Sequence, residues 1–129
     1  MKVPTLDYDR WENILHVSHP KSVYLADPSE IDGYFKHVLD FWHLHCNSVR
    51  VYLIVCYDNF SYNYKEQKAY TMAGARASEF ALAVVRYGGS LSQRTAARTR
   101  AIELNVPSNL YASLDEALDV VRRLKAGTT

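Results

Sequence analysis

This sequence of 129 residues is short of long apolar runs, of excess charge of one sign and of cysteine. No apolar run approaches the roughly 20 residues that a membrane-spanning helix needs. The formal net charge of +1 gives no electrostatic reason to expect a nucleic-acid or membrane partner. Residues 1–9 also lack the basic start and apolar core of a signal peptide. We therefore expect a cytoplasmic protein.

The sequence has only two cysteines, Cys46 and Cys56, and both lie in apolar segments. In a cytosolic protein such a pair is more often two reduced core thiols than a disulfide. Repeats and low-complexity linkers are absent too, and the length suits one domain. We expect a single domain over 1–129, with 1–11 as an N-terminal segment.

The apolar pattern predicts five strands. Two short β-type runs separated by Pro20 predict an antiparallel hairpin. A longer run, "VRVYLIVCY", is nearly all apolar, as in a strand covered on both faces. The predicted strands lie at 12–19, 22–26, 49–57, 80–87 and 109–113.

Four helices are predicted between and after these strands. Asp27 and Pro28 predict the start of the first helix, and the capping box from Ser113 to Glu116 predicts the start of the last, which should stop at Gly127. The predicted helices lie at about 28–46, 63–79, 91–104 and 114–126.

The predicted order is therefore β-β-α-β-α-β-α-β-α. Strands that alternate with helices indicate an α/β protein with right-handed crossovers. We expect a mixed, mostly parallel five-stranded sheet with four helices, in which the first hairpin strand forms an antiparallel edge.

Over residues 12–126 this order and its apolar pattern resemble the STAS-like group, the fold of the anti-sigma-factor antagonist, and in particular its SpoIIAA-like branch of small bacterial proteins. The resemblance implies a non-catalytic regulatory or protein-interaction module, acting as a homodimer or on a larger bacterial partner. The stretches that carry it are "DPSEIDGYFKHVLDFW", "VRVYLIVCYDNF", "FALAVVRYGG" and "NLYASLDEALDVVRRL".

In antagonists of this family, a serine at the start of the helix after the central strand accepts a phosphate. The resemblance implies that role for Ser61, the nearest hydroxyl in "DNFSYN". The family pattern is Asp-Ser-Ser-Gly, whereas Asn59 and Phe60 follow Asp58 here.

The loop after the central strand is the first candidate site. The carboxyl ends of parallel strands share one edge of a sheet, so this loop should lie beside 87–90, and Asp27 should lie close to both. The alternative is that Asp27 caps the first helix and that Asp58 or Asn59 caps the second. The candidate regulatory or ligand-binding residues are Asp58, Asn59, Ser61 and Tyr62.

The second candidate is an anion site at the start of the third helix. Exposed N–H groups of a first helical turn attract anions, and glycine lets a ligand approach. The segment 81–101 has no acidic residue, although its loop matches neither the phosphate-binding loop nor the dinucleotide fingerprint. The alternative is a tight turn. The candidate residues are Gly88, Gly89, Ser90 and Arg94, with Arg86, Arg98 and Arg100 adding local positive charge.

The third candidate is an apolar interface on the first helix. Besides its core stripe, this helix carries Tyr34, Phe41 and Leu44 on an adjacent face. Such an excess of apolar surface suggests self-association or a partner. The alternative is that the N-terminal segment, with Leu6, Tyr8 and Trp11, covers this face.

No catalytic set, metal site or cofactor is predicted. The side chains of His37, His43, His45 and Cys46 diverge around their helix, and Cys56 lies inside a strand. Two alternatives to an interaction module stay open. One is an enzyme of unrecognised type; the other is a carrier of a small molecule or lipid, with the tyrosines of 52–70 lining a cleft.

Overall fold

The computed structural model describes residues 2–104 and 110–127. Two short 3₁₀ helices, Tyr64–Glu66 and Ser78–Phe80, flank the second α-helix. The strands are β1 (Thr5–Asp9), β2 (Ile14–Ser18), β3 (Val23–Leu25), β4 (Val51–Cys56), β5 (Phe60–Tyr62), β6 (Ala81–Tyr87) and β7 (Leu110–Tyr111). The helices are α1 (Pro28–His45), α2 (Gln67–Ala77), α3 (Leu91–Leu104) and α4 (Leu114–Lys125).

The main sheet has five strands in the order β1-β2-β4-β6-β7. The β1–β2 pair is antiparallel, whereas the β2–β4, β4–β6 and β6–β7 pairs are parallel. The predicted α/β class, with a mixed five-stranded sheet and four helices, is confirmed. The near-continuous apolar run of β4 lies at the centre of this sheet, as expected of a strand covered on both faces.

The prediction that β2 and β3 form an antiparallel hairpin is wrong, because β2 pairs with β1 instead. The segment 1–11, for which no strand was predicted, contributes β1, and β1 pairs with β2. The turn between them is closed by the carboxylate of Asp9, which accepts hydrogen bonds from the N–H groups of Trp11 and Glu12, and by Asn13 at φ 58°. The strand predicted as the hairpin partner, β3, pairs instead with β5 in a separate two-stranded parallel sheet.

The starts of α1 and α4 agree with the sequence. The Asp27 carboxylate accepts a hydrogen bond from the Glu30 N–H at 2.9 Å, and the Ser113 hydroxyl accepts one from the Glu116 N–H at 3.3 Å. Each cap occupies a donor that the first helical turn leaves unpaired. The last helix ends before Gly127, whose φ is 74°. Asn109, at the start of the predicted last strand, lies outside the described residues.

The second helix begins later than expected. The apolar spacing predicts a start near residue 63, but Phe60–Tyr62 pairs as a strand and a 3₁₀ turn follows. Asn63 caps that turn by accepting a hydrogen bond from the Lys65 N–H. A strand of three residues is too short to give a periodic signal, and for that reason the sequence pattern misses it.

The two faces of the sheet have different cores. One face, under α4, packs an aliphatic cluster. The other, under α1 and α2, packs a larger core that contains many rings. The aliphatic cluster consists of Ile14, Ile54, Val85, Ala117 and Val121; we call His19, Tyr34, Phe60, Tyr62 and Tyr70 the aromatic cluster.

Candidate functional site

The loops after β4 and β6 meet at the carboxyl edge of the sheet, as predicted. The Tyr57 N–H donates to the Tyr87 carbonyl at 2.9 Å. One residue further on, the Gly89 N–H donates to Oδ1 of Asp58 at 2.8 Å. The Asp58 carboxylate therefore links the two loops and does not cap the second helix.

Asn59 does not cap the second helix either. Its backbone has φ 62°, and its Nδ2 donates to the His19 carbonyl at 2.9 Å. This bond connects the loop after β4 to the turn after β2. For Asp27 the sequence left two roles open, joining these loops or capping the first helix. Asp27 follows β3 and is the cap of α1. Both polar residues of the loop thus hold neighbouring backbone.

Three backbone donors around the start of α3 are occupied by the protein itself. The Gly89 N–H faces Asp58, the Ser90 N–H donates to Oε1 of Gln93 at 2.7 Å, and the Gln93 N–H donates to the Ser90 hydroxyl at 3.1 Å. Ser90 and Gln93 thus form a capping box. An external anion at this loop would have to displace the Asp58 carboxylate.

The two glycines of this loop are required by its geometry. Gly88 and Gly89 have φ values of 77° and 81°, a region that side-chain-bearing residues rarely adopt. A Cβ atom on Gly88 would lie 2.8 Å from Oδ1 of Asp58. The two glycines therefore allow the loops after β4 and β6 to approach each other closely. Arg94 is the fourth residue of the predicted anion site, and its Nε is buried with no hydrogen-bond partner among the described residues. The side chain of Arg100 is not among those that the structure describes.

A small pocket opens beside these loops. It has a volume of about 40 Å³ and lies where β5 leads into the second helix. Four of its seven lining residues are tyrosines, and the amide of Gln93 closes one side by donating to the Phe60 carbonyl. We call it the tyrosine pocket; its lining residues are Tyr57, Phe60, Ser61, Tyr62, Tyr64, Tyr70 and Gln93.

Ring contacts fix the walls of the tyrosine pocket. Tyr62 and Tyr70 stack with ring centroids 4.1 Å apart and planes inclined by 12°. Phe60 lies 5.9 Å from Tyr70 and 6.1 Å from Tyr57. Rings packed on one another in this way have few alternative rotamers. The pocket is therefore largely formed before any ligand arrives.

The phenol of Tyr70 is the most strongly perturbed group in the pocket. Burial raises the pKa of Tyr70 well above its ordinary value, the neighbouring phenols of Tyr57 and Tyr34 add to the rise, and the positive charge of Arg86 opposes it. The phenol therefore stays protonated at neutral pH and is a hydrogen-bond donor. Arg86 lies opposite Val55 in the parallel β4–β6 pair, so the two side chains share the sheet face that α1 and α2 cover.

A buried histidine supports the pocket from behind. The Nδ1 of His19 lies 2.9 Å from the Cys56 carbonyl, and its Nε2 lies 2.8 Å from the Tyr34 hydroxyl. Because a carbonyl oxygen only accepts, Nδ1 carries the hydrogen and Nε2 accepts from Tyr34. Burial lowers the pKa of His19, although its bond to the Cys56 carbonyl opposes that shift. The imidazole is thus held neutral, stacked on Phe60.

The predicted interface on α1 is corrected for Tyr34. This residue is only 4% exposed and belongs to the core, because its hydroxyl finds a partner in His19 there. Phe41 is half-buried, whereas Leu44 is 74% exposed. Only Leu44 thus lies on the surface as the apolar-interface prediction requires.

The N-terminal segment covers part of this face. Leu6 and Tyr8, both in β1, pack against the core beneath α1, as the alternative prediction holds. Trp11 does not, since it is 88% exposed with Arg10 over its ring. Between β1 and the end of α1 lies a broad open groove of about 520 Å³, which Tyr8, Phe41 and Val49 help to line.

The cysteines and histidines form no metal-binding group within the described residues. Cys46 and Cys56 are both free and buried. Cys56 borders Tyr87: burial raises the pKa of Tyr87 to about 12, with the Cys56 thiol and the Asp58 carboxylate adding to the effect. None of the helices in the described ranges is long and apolar enough to cross a membrane.

Sequence reasoning missed His19 and Gln93 at this edge. Tyr70 falls in 52–70, the segment whose tyrosines were expected to line a cleft, and Arg86 was named only for its charge beside the predicted anion site. Only Gln93 left a local signal, because Ser90-x-x-Gln93 is a recognisable capping box. His19, Tyr70 and Arg86 come from distant segments, so no spacing rule brings them together. Comparisons of the chain with protein-family models, with curated proteins and with solved structures found no match.

Proposed function

We propose that this protein is a non-catalytic binding module that holds a small, largely apolar ligand in the tyrosine pocket. The observation that carries this proposal is the pocket itself, with its ring-lined walls at the carboxyl edge of the sheet. Ligands of open α/β sheets bind outside the carboxyl ends of the strands. Small-molecule sites are mostly apolar with a few placed polar groups, as here.

The size of the pocket limits what it encloses. A volume of about 40 Å³ corresponds to roughly three water molecules, since each needs about 10–15 Å³ on this measure. The pocket therefore suits a small ligand or one end of a larger one. Tyr64, which is 59% exposed at the wall, is placed to cover the part that remains outside.

The chemistry of the lining favours binding over catalysis. The Tyr70 phenol is held protonated by burial, so it suits a hydrogen-bond donor better than a base at neutral pH. The Gln93 amide is already occupied by the Phe60 carbonyl and the Ser90 N–H. These groups orient a ligand without moving protons.

The first test is native mass spectrometry of the protein purified gently from its own host, with a pocket-filling variant. Ser61 is exposed and lines the pocket, so Ser61→Trp should block it. Ser29, exposed in the first turn of α1, gives the matched control Ser29→Trp. We expect a bound small molecule on the wild type and the control and its loss from Ser61→Trp. Equal retention by both variants would contradict the pocket as the site.

A second candidate is a STAS-like regulatory module that acts through protein contacts, as a homodimer or on a bacterial partner. It is favoured by the exposure of Ser61 on β5 and of Leu44 on α1, which leaves both open to a kinase or a partner. The resemblance to SpoIIAA-like proteins implies the same role.

Charge and subunit count test this second candidate. Ser61→Glu mimics a phosphate, and Ser29→Glu places the same charge on α1. We expect only Ser61→Glu to change the set of proteins captured from the native host, and Leu44→Asp to dissociate any homodimer seen by native mass spectrometry. Identical capture by both glutamate variants, with no dimer in the wild type, would count against a regulatory module.

A further inference from the structure

The polar groups of the tyrosine pocket indicate which ligand chemistry it accepts. This inference rests on the proposed small-molecule site and adds the charge of the ligand. Its starting point is the hydroxyl of Tyr70, a half-buried residue of the pocket wall. No hydrogen bond of this hydroxyl is found within 2–104 and 110–127. A phenol without a partner can donate one hydrogen bond, so this wall of the pocket has a donor for an acceptor on the ligand.

A positive charge lies behind this donor. Arg86 is half-buried on β6, on the sheet face that also carries Val55 and Tyr57. The guanidinium is close enough to Tyr70 to act on the phenol electrostatically. Among the described residues, none of the ion pairs includes Arg86. A half-buried arginine without a carboxylate partner favours an acceptor that carries negative charge.

The apolar part of the site surrounds this polar end. Phe60 is buried and contacts Tyr57, Tyr62 and Tyr70 through its ring. Tyr64 lies 5.6 Å from Tyr62 on the exposed side. A ligand entering here meets ring faces first and the Tyr70 hydroxyl behind them.

We propose that the ligand of the tyrosine pocket is a small apolar carboxylic acid. Its carboxylate accepts a hydrogen bond from the Tyr70 hydroxyl beside Arg86, and its apolar part packs against Phe60 and Tyr64. Aromatic acids and short aliphatic acids share this chemistry. They differ in whether a flat ring or a flexible chain lies between the tyrosines.

Four probes separate the charge from the apolar part: benzoate, benzyl alcohol, hexanoate and hexan-1-ol. Each is titrated into ¹⁵N-labelled protein at neutral pH while the amide shifts of 57–70 are followed. We expect each acid to bind about tenfold more tightly than its matched alcohol, as for a hydrogen bond to a charged group. Comparing the affinities for benzoate and hexanoate then decides between an aromatic and an aliphatic acid.

Two variants assign the preference to the proposed groups. Tyr70→Phe keeps the ring and removes the hydroxyl, and Arg86→Gln removes the charge. Each should abolish most of the preference for the acids and leave the alcohols unchanged. Tyr24→Phe, on the exposed side of β3, should change nothing.

The outcomes distinguish this inference from the function on which it rests. If acids and alcohols bind equally in the wild type, or if Tyr70→Phe keeps the preference, the carboxylate proposal is overturned and the apolar pocket stands. If none of the four probes shifts the amides of 57–70, both proposals fail.

Discussion

The aliphatic and aromatic clusters lie on opposite faces of one sheet and are built by different means. The aliphatic cluster, under α4, consists of fully buried branched side chains and one alanine. The aromatic cluster, under α1 and α2, consists of rings whose polar tips need partners, such as the His19–Tyr34 pair. Branched aliphatic side chains pack densely against one another. Rings with polar tips leave gaps at their edges, and the tyrosine pocket is one of these.

The largest expected effect is at Phe60, which contacts every other member of the aromatic cluster. Phe60→Ala should lower the free energy of unfolding by about 3–5 kcal/mol, because it opens a cavity among rigid rings. On the other face, Val121→Ala should cost only about 1.5–3 kcal/mol. Urea unfolding of both variants measures the difference, and a larger loss for Val121→Ala would reverse the comparison.

The next effect is at the polar tips. Tyr34→Phe removes the hydroxyl that donates to Nε2 of His19 and leaves a buried acceptor unpaired. We expect a loss of about 1–3 kcal/mol in the free energy of unfolding. Tyr24→Phe removes a hydroxyl from the exposed side of β3 and should change stability by less than about 0.5 kcal/mol. Equal values for the two variants would show that the buried hydrogen bond contributes nothing to stability.

A smaller effect is expected in the loop after β6, which is hydrogen-bonded to the loop after β4 beside the aromatic cluster. Gly88→Ala forces a side chain into a left-handed conformation and against Asp58, with a cost of about 1–2 kcal/mol. Gly33 lies in α1 with open space around it, and Gly33→Ala should stabilise by up to about 1 kcal/mol. Thermal unfolding should show opposite shifts of Tm; shifts of the same sign would contradict the role assigned to this loop.

The smallest effect is a dependence of stability on pH, which of the two clusters only the aromatic one should contribute, because the aliphatic cluster has no titratable member. Burial lowers the pKa of His19 below its ordinary 6.5. In this pH range the unfolded chain therefore binds more protons than the folded chain. The stabilising contribution is complete above pH 6.5 and is lost as the pH falls toward the lowered value.

Urea unfolding across this range, in the wild type and in His19→Gln, measures that contribution. The wild type should lose stability more steeply on acidification than the variant. Parallel curves for the two proteins would show that His19 titrates alike in the folded and unfolded chains.

Several parts of this molecule were readable from local sequence. The caps of α1 and α4 follow from Asp27 and Ser113, since each bond joins residues three apart. The central strand follows from its apolar run. Local patterns also placed the loops after β4 and β6 at one edge, because parallel strands leave no other arrangement.

Other parts needed contacts between distant segments. The pairing of β1 with β2, and of β3 with β5, depends on which segments meet, and short strands carry little periodic signal. Asp58 looks like a helix cap in sequence, yet its partner lies 31 residues away at Gly89.

The sequence by itself determined the α/β alternation, the helix starts and the central strand, because these depend on residues within a turn or two of one another. The tertiary structure alone decided that His19, Tyr34, Phe60 and Tyr70 form one cluster and that a pocket opens beside them. Burial of ring surface and the pairing of buried polar tips act between segments far apart in the chain. They take effect only once the sheet has brought those segments together.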